Sequence, residues 1–541
     1  MDVAGAGAGG GALLPLAGAK STHVSSGSEP FILADRLGRF LWIGDTSGVH
    51  RSGDNGTTWS DMPLPATTLS LLFTDGVALA QDEKGRLYAA SLSDNRGDVS
   101  RSDDGTAFAS SSFAAGLPVD RPWVAAHGDT AMLVFLNNYG VLGSLEGCAR
   151  STDAGRTFLD RNPASGPSGS GGIAADDQGT FYVTYSGTGS LTRLRTCTDA
   201  VWPATDSQEM FDALGANNMV AVASNGSALH VAAADAGNAI VLSSVRAWGD
   251  APRRLRLSPP ELQANTFAAV AARGRDVAVA WYGSATGGDP SGTGFGGSFD
   301  VYVARVHDPF GEAGGPSVRV EKVTATPNHR GQICMGGLTC TGNRGLLDYF
   351  GVAIDLWGGV HVAYVDDTSS AATYHVHLPP WDAPPATLDN SSAPASSSAS
   401  LSASSSSAAP KPNPSQPVLA AHFHASADGL LVTTDGRAST GKAPLTYRWA
   451  WGDGRSGSGV AASHAYPANG SYDLRLRVTD ADGRSAESGA TLRLAAAASG
   501  SAADGAAPGG VTVQVPGPAP PAAAAALALA GWAAARRPRR P

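Results

Sequence analysis

The stretch "NHRGQICMGGLTCTGNRGLLDYFGVAID", residues 328–355, places two guanidinium groups, Arg330 and Arg344, and the imidazole of His329 in one segment with the Asp348 carboxyl and the Tyr349 phenol. Guanidinium groups hold a carboxylate through paired N–H bonds, and a carboxyl or a phenol can move protons or attack as a nucleophile. These are therefore candidate catalytic or ligand-binding residues. Cys334 and Cys340 enclose five residues in "CMGGLTC", a spacing that allows a small disulfide loop and is not the CxxC of common zinc sites. The segment is long for a connection between strands, and long connections often carry function. A disulfide-pinned loop that merely closes the fold is the other reading.

The elements that must position these groups come from a repeat: an apolar run, a short polar turn ending in Gly, and another apolar run. From 29 to 378 it reads "EPFILADRLGRFLWIG", "DGVALAQDEKGRLYAAS", "RPWVAAHGDTAMLVF", "SGGIAADDQGTFYVTY", "NMVAVASNGSALHVAA", "TFAAVAARGRDVAVAW" and "DYFGVAIDLWGGVHVAY". Runs such as "DVAVAW" alternate as half-buried strands do, so each copy predicts two strands and a tight turn. A second pattern overlies the first three copies, in "RSGDNGTTWS", "SRSDDGTAF" and "ARSTDAGRTF". Asp54, Asp103 and Asp153 can turn their carboxylates onto loop amides, and Gly56, Gly105 and Gly155 supply a tight reversal. Ser52 and Thr58 add hydroxyl bonds, as do Ser151 and Thr157, and Trp59, Phe108 and Phe158 bury at the base. The second copy has Arg101 and Ala107 in the hydroxyl positions and reads as degenerate.

This turn resembles the Asp-box, or BNR repeat, of sialidase-like β-propellers, in which the box is structural and lies on the outer rim of a blade. The resemblance implies an all-β fold of six or seven blades, radial repetition that leaves few exposed sheet edges. It also directs attention to the central mouth. Aligning the seven copies by their turns puts Glu29, Asp75 or Gly76, Arg121, Ser170, Asn218, Asn265 or Thr266, and Asp348 or Tyr349 there. Such a ring is polar and mixed in charge, suited to hydroxyl-rich ligands; equally, these groups could satisfy strand ends. Trp123 offers sugar stacking if it faces the mouth and core packing if it does not. A catalytic sialidase uses an arginine cluster, a Tyr nucleophile paired with Glu, and an Asp acid/base, and carries its first Arg in an Arg-Ile-Pro motif. Here that region reads Ser28-Glu29-Pro30-Phe31, an acid where the clamp would begin. The catalytic candidates are accordingly Asp348, Tyr349, Glu29, Arg121, Arg330 and Arg344, under a reading in which hydrolysis is the alternative to binding a glycan or an extracellular protein.

The remaining sequence sets the context. At 541 residues with net charge -9 and 16% charged residues, the chain has room for more than one domain and is a poor fit to nucleic acid. Cys148 and Cys197 fall in neighbouring repeats, so a cross-blade disulfide is possible alongside Cys334 to Cys340. Residues 1–28 read as a flexible segment and 29–378 as the propeller. Residues 379–416 read as a Ser/Pro/Ala linker, about 35 Å root-mean-square if flexible.

Residues 417–494 resemble the PKD domain, an immunoglobulin-like sandwich. The family's "YxWxxGDG" is met by Tyr447, Trp449, Gly452, Asp453 and Gly454, and its later motif by His464, Tyr466, Gly470, Tyr472, Val478, Thr479, Asp480 and Gly483. Asp480 and Asp482 could hold calcium or simply make a turn; no other cofactor is implied, and no zinc-type cluster stands out. After a linker over 495–521, residues 522–541 join an apolar stretch to a basic end, similar to the PGF-CTERM-type tails that sortase-like enzymes process, with Pro518 where Phe is usual. As a helix the stretch reaches about 21 Å, short of a bilayer core. It reads as a sorting signal or as a simple anchor, so membrane association is expected through the C-terminus alone, and the protein at the cell surface.

Overall fold

The computed structural model describes residues 21–36, 38–65, 76–93, 96–115, 119–138, 144–162, 170–185, 189–197, 206–214, 220–312, 315–334, 343–346, 349–380 and 418–494. Among these, every regular element is a strand, and the chain divides into two units.

In the first unit, seven antiparallel sheets follow one another along the chain, six of them built from consecutive strands. The inner strands are Phe31–Ala34, Ala78–Gln81, Val119–His127, Ser170–Ala175, Ala221–Asn225, Ala264–Arg273 and Gly351–Ile354, the blades being numbered one to seven in that order. Each inner strand pairs with the second strand that the sequence repeat anticipates, for example Ala264–Arg273 with Asp276–Ser284. The second strands carry the core. Trp42, Ile43, Leu87, Tyr88, Leu133, Val183, Val231, Trp281 and Val362 are almost fully buried, because each blade is covered on both faces by its neighbours. The inner hairpins close on Asx turns. Asp82 Oδ1 accepts the Lys84 and Arg86 amides at 2.9 and 3.0 Å, and Asp176 Oδ1 those of Gln178 and Thr180 at 2.9 and 2.8 Å.

The seventh blade takes Gly351–Ile354, Val360–Asp366 and Ala372–Leu378 from the end of the repeat region and its fourth strand, Thr22–Ser25, from the beginning. Of the segment 1–28 expected to be flexible, Thr22–Ser25 is thus corrected to a strand, with Thr22 opposite His375, while residues 1–20 lie outside the described residues. A ring of sheets needs its last blade locked to its first, and pairing the two ends of the repeat region does this without leaving an open edge.

The second unit packs two sheets face to face. Trp449, Trp451, Phe423, Val432, Leu474, Leu476 and Val478 fill the space between them, and along Gly470–Thr479 the buried Leu474, Leu476 and Val478 alternate with more exposed neighbours. Tyr466 donates its phenol proton to the Trp451 carbonyl at 2.6 Å, and Trp449 its indole N–H to the Gly459 carbonyl at 2.8 Å. Burying these large rings therefore leaves no polar atom of either side chain unmatched.

Candidate binding site at the propeller axis

The inner strands do not run regularly into the centre. In blades three, four and six their pairing slips near the start, between Asp120 and Trp123, Ser170 and Gly172, and Thr266 and Ala269. Each slip contains a residue in a left-handed or mirror-β backbone conformation: Arg121 at φ 50°, Gly172 at φ 151° and Phe267 at φ 54°. Glu29, two residues ahead of the first inner strand, sits at φ 57°. A β-bulge re-aims the side chains that follow it, and a non-glycine residue held at positive φ costs on the order of 1 kcal/mol or more. Glu29, Arg121 and Phe267 bear that cost at the start of blades one, three and six.

The consequence is a cavity of about 140 Å³ lined by the inner strands of six blades and the residues leading into them. Phe31, Trp123 and Tyr349 form its aromatic wall. Trp123 meets Phe31 edge to face at 4.7 Å between centroids and Tyr349 at 5.2 Å, while Phe31 and Tyr349 tilt together at 4.9 Å. Phe31 and Trp123 are half-buried; Tyr349 is buried. The Trp123 indole N–H is shielded from solvent and meets no acceptor among the described residues. A cavity of this size holds one six-membered ring. Its described lining carries no charged side chain.

The residues singled out from sequence are distributed differently from the expected polar ring. Glu29 is 2% exposed, and its Oε2 accepts the Gly76 amide at 2.9 Å, so this carboxylate ties blade one to blade two and does not line the cavity. Asn265 is buried; it accepts the Trp281 indole N–H at 2.9 Å and donates to the carbonyls of Asn238 and Leu262. Thr266 is buried beside it. His329 is fully buried against Asp367, at 2.9 Å, with its other nitrogen 3.1 Å from the Gln332 carbonyl. Arg330 is exposed on a short strand of blade six, and neither it, Arg344 nor Arg121 lines the cavity. Tyr349 and Trp123 do. Asn218, Asp348 and Cys340 lie outside the described residues, as does Asp75, and of Ser170 only the backbone is described. Of the expected mixed-charge ring, Glu29, Arg121, Asn265 and Thr266 are corrected, since none lines the cavity, whose described wall is an aromatic cup. The bulges shift the register, and the polar neighbours turn to strand ends, where buried donors and acceptors must be paired.

Antiparallel topology puts the repeated turns at the opposite end of the blades from the cup. In the first turn Ser52 Oγ donates to Asp54 Oδ1 at 2.8 Å and accepts the Gly56 amide at 2.8 Å, while Asp54 takes the Thr58 amide and hydroxyl at 2.9 and 2.6 Å. The third repeats this with Ser151, Asp153, Gly155 and Thr157. Burial works to raise the Asp153 carboxyl, but bonds from Thr157, Ser151 and the Arg156 amide outweigh it and hold it at about 2. The second turn corrects the sequence reading. Asp104, not Asp103, accepts the Thr106 amide and hydroxyl at 2.8 and 2.7 Å, and Ser102 Oγ accepts the Gly105 amide at 3.0 Å. Asp103 pairs with Arg101 instead. The loop is shorter by one residue between Asp and Gly and is complete, not degenerate. Phe158 is buried at the base of its turn, while Trp59 and Phe108 are half-buried.

Each turn seats its glycine on a ring of the preceding blade. A Cβ on Gly56 would stand 2.0 Å from a carbon of His375, one on Gly105 2.5 Å from Trp42, and one on Gly155 2.9 Å from Tyr88. Blade four achieves the same contact covalently: Cys197, after its third strand, is disulfide-bonded to Cys148 of blade three. Cys334 is also disulfide-bonded. In the second unit, Asp480 accepts the amides of Asp482 and Arg484 and pairs with the Arg484 guanidinium, and Asp482 pairs with Lys442.

The family model for the PKD domain matches residues 414–495. No curated protein matches the chain. Among solved structures, the PKD1 domain of the Vibrio cholerae metalloprotease PrtV is 28% identical, covering 14% of this chain and 96% of that domain, with a TM-score of 0.14. A protein of unknown function from Dyadobacter fermentans is 10% identical over 68% of this chain and 96% of its own, at a TM-score of 0.35. The endosialidase of phage phi92 is 10% identical over 91% and 89%, at 0.34. By its sheets and by this family match, the chain is a seven-bladed β-propeller followed by a PKD domain.

Proposed function

We propose that this is an extracellular recognition protein that binds the terminal sugar of a glycan in the aromatic cup at the propeller axis. The observation that carries the reading is the wall of Phe31, Trp123 and Tyr349 around a space for one ring. A pyranose has C–H faces that pack on aromatic rings. The bonding within the repeated turns supports reading them as Asp-boxes of a sialidase-like propeller, and the PKD domain supports an extracellular setting. The tail at 522–541 belongs to the same proposal: a signal for a sortase-like enzyme, or an anchor, that keeps the protein on the surface. Glycan-array binding followed by calorimetry tests the reading; silence across neutral and acidic glycans overturns it and favours a structural envelope role. Fractionation of cells expressing the chain with and without 522–541 tests the display.

A second reading, a divergent glycoside hydrolase, rests on the Tyr349 phenol in the cup. Hydrolysis by the usual route needs two carboxyl groups flanking the bond, and Glu29 is committed to Gly76. Fluorogenic sialosides and neutral glycosides decide it: turnover that Tyr349→Phe removes would establish the enzyme.

A further inference from the structure

On the face away from the cup, blade seven brings together residues that sequence reading passed over. Asp355 ends the inner strand, His361 begins the second, and His375 and His377 alternate along the third. Strand register sets His361 directly opposite His377. One oxygen of Asp355 and one nitrogen each of His361 and His377 lie within 4.8 Å of one another, with His361 Nε2 and Asp355 Oδ2 at 3.1 Å. Asp355 and His361 are buried; His377 is half-buried and reachable from solvent.

We propose that Asp355, His361 and His377 bind one divalent transition-metal ion of the zinc class at the seam between the last blade and the first. Two imidazoles and one carboxylate form a donor set that favours zinc-like ions over calcium or magnesium and leaves a fourth position for water. Tetrahedral zinc with bonds of about 2.0–2.1 Å places its ligand atoms roughly 3.4 Å apart, close to the 3.1 Å already present.

Three further features fit a cation better than a hydrogen-bonded lock. First, blades two and four carry the simple lock: Tyr88 and Tyr182, six residues after Asp82 and Asp176, donate to Oδ2 at 3.1 and 2.9 Å. Blade seven keeps the spacing from Asp355 to His361 but replaces the phenol with an imidazole and adds two more. Second, the outer contacts orient the ligands. Asp355 Oδ1 accepts the Trp357 and Gly359 amides, both at 2.8 Å. His375 hydrogen-bonds with the Gly56 backbone, whose amide is already given to Ser52, so the ring N–H goes to the Gly56 carbonyl. His375 Nε2 then accepts from His361 Nδ1 at 3.0 Å, which leaves the His361 Nε2 lone pair aimed at a carboxylate oxygen. Asn55 Nδ2 lies 3.1 Å from His377 Nδ1 and 3.4 Å from Nε2; binding of the cation through Nε2 requires this side-chain amide to flip, so that its carbonyl accepts the Nδ1–H. Third, Gly359 keeps the space open, since a Cβ there would stand 2.6 Å from His377 Nε2 and 2.8 Å from Asp355 Oδ2. No positive φ calls for glycine at this position; the close approach of the two ligand atoms does.

The test uses the tag-free full chain, stripped with chelator. Titration with zinc should give one-to-one binding that calcium and magnesium do not reproduce, and cobalt should give the visible absorption of a tetrahedral site. His377→Ala, at the half-buried position, and Asp355→Asn should each weaken zinc binding more than about 100-fold, and His375→Phe about 10- to 100-fold. Zinc should raise the melting temperature of the wild type and not of His377→Ala. The proposal is overturned if the wild type binds neither zinc nor cobalt stoichiometrically, a result that needs no variant to fold, or if binding is unchanged in both ligand variants while their circular dichroism matches the wild type. The cluster would then be a hydrogen-bond lock only.

Discussion

The two faces of the propeller use the same strands for opposite ends. On the turn face, described acids are committed: Asp54, Asp104 and Asp153 to loop amides and hydroxyls, Asp82, Asp176 and Asp355 to hairpin amides. Glycines press on rings of the preceding blade, and a disulfide replaces that contact once. On the cup face the inner strands slip at Arg121, Gly172 and Phe267, aromatic rings stand half-buried around a cavity, and the Trp123 indole N–H meets no acceptor among the described residues. Positive φ by itself does not divide the faces, since Asn55 and Ala154 adopt it within the repeated turns; the division lies in where the slips and the aromatic wall open a space and where side chains close one. The difference separates the part of the repeat that holds the ring from the part that can receive a ligand.

That division can be broken experimentally, and the largest effect belongs to the turn face. Removing the Cys148 to Cys197 bond with Cys148→Ser and Cys197→Ser opens a loop with a sequence separation of 49, for which chain entropy gives about 4 kcal/mol. Denaturant midpoints should fall accordingly while glycan affinity of the folded protein stays unchanged. Trp123→Ala should do the reverse, weakening glycan binding by about 2 kcal/mol, roughly 30-fold, with a smaller change in midpoint, as calorimetry beside a denaturation curve will show. If affinity survives while stability collapses, Trp123 is core and the cup is not a site. Within the turn face, Asp104→Ala should cost about 1 kcal/mol because it frees a loop amide and hydroxyl, and that cost should persist in an Arg101→Ala background; the cost of Asp103→Ala, which strands the buried Arg101 guanidinium, should vanish there. Equal costs in that background would refute the corrected register.

The smallest effect is a pH dependence near the ring closure. Burial works against charge on both Asp45 and His50, but their mutual bond, with Ser25 and Ser47 on one side and Asp61 on the other, lowers the Asp45 carboxyl below 3.8 and raises the His50 imidazole above 6.5. The His50 contribution is complete below 6.5 and is lost as pH rises through its raised value; that of Asp45 is complete above 3.8 and is lost as pH falls. Melting temperature should therefore be highest between those limits, and His50→Gln should flatten the alkaline side.

The inner hairpins were legible because each is local: an apolar run such as "DVAVAW" or "GVHVAY" meets the run just before it across a turn of a few residues, and the alternation itself sets the register. Thr22–Ser25 was not, since four residues carry no periodic signal and the partner is about 350 positions away. Asp103 and Asp104 are adjacent acids that only loop geometry can tell apart. The polar mouth was misread because a bulge of one residue exchanges the side chain that faces the axis, and Arg121 and Phe267 bear no mark of their backbone conformation in the sequence. The histidine cluster had a faint trace, "HVH" at 375–377, two imidazoles on one face of a strand, but its meeting with Asp355 and His361 depends on cross-strand pairing.

The strand Ala372–Leu378 is hydrogen-bonded on both sides, to Val360–Asp366 and to Thr22–Ser25. The chain leaves the propeller directly after it, so tension arriving from the C-terminal side enters an interior strand. Such a strand cannot be peeled away one bond at a time as an edge strand can; two ladders must shear together. A sheet borrowed from both ends of the repeat region thus doubles as a mechanical clamp.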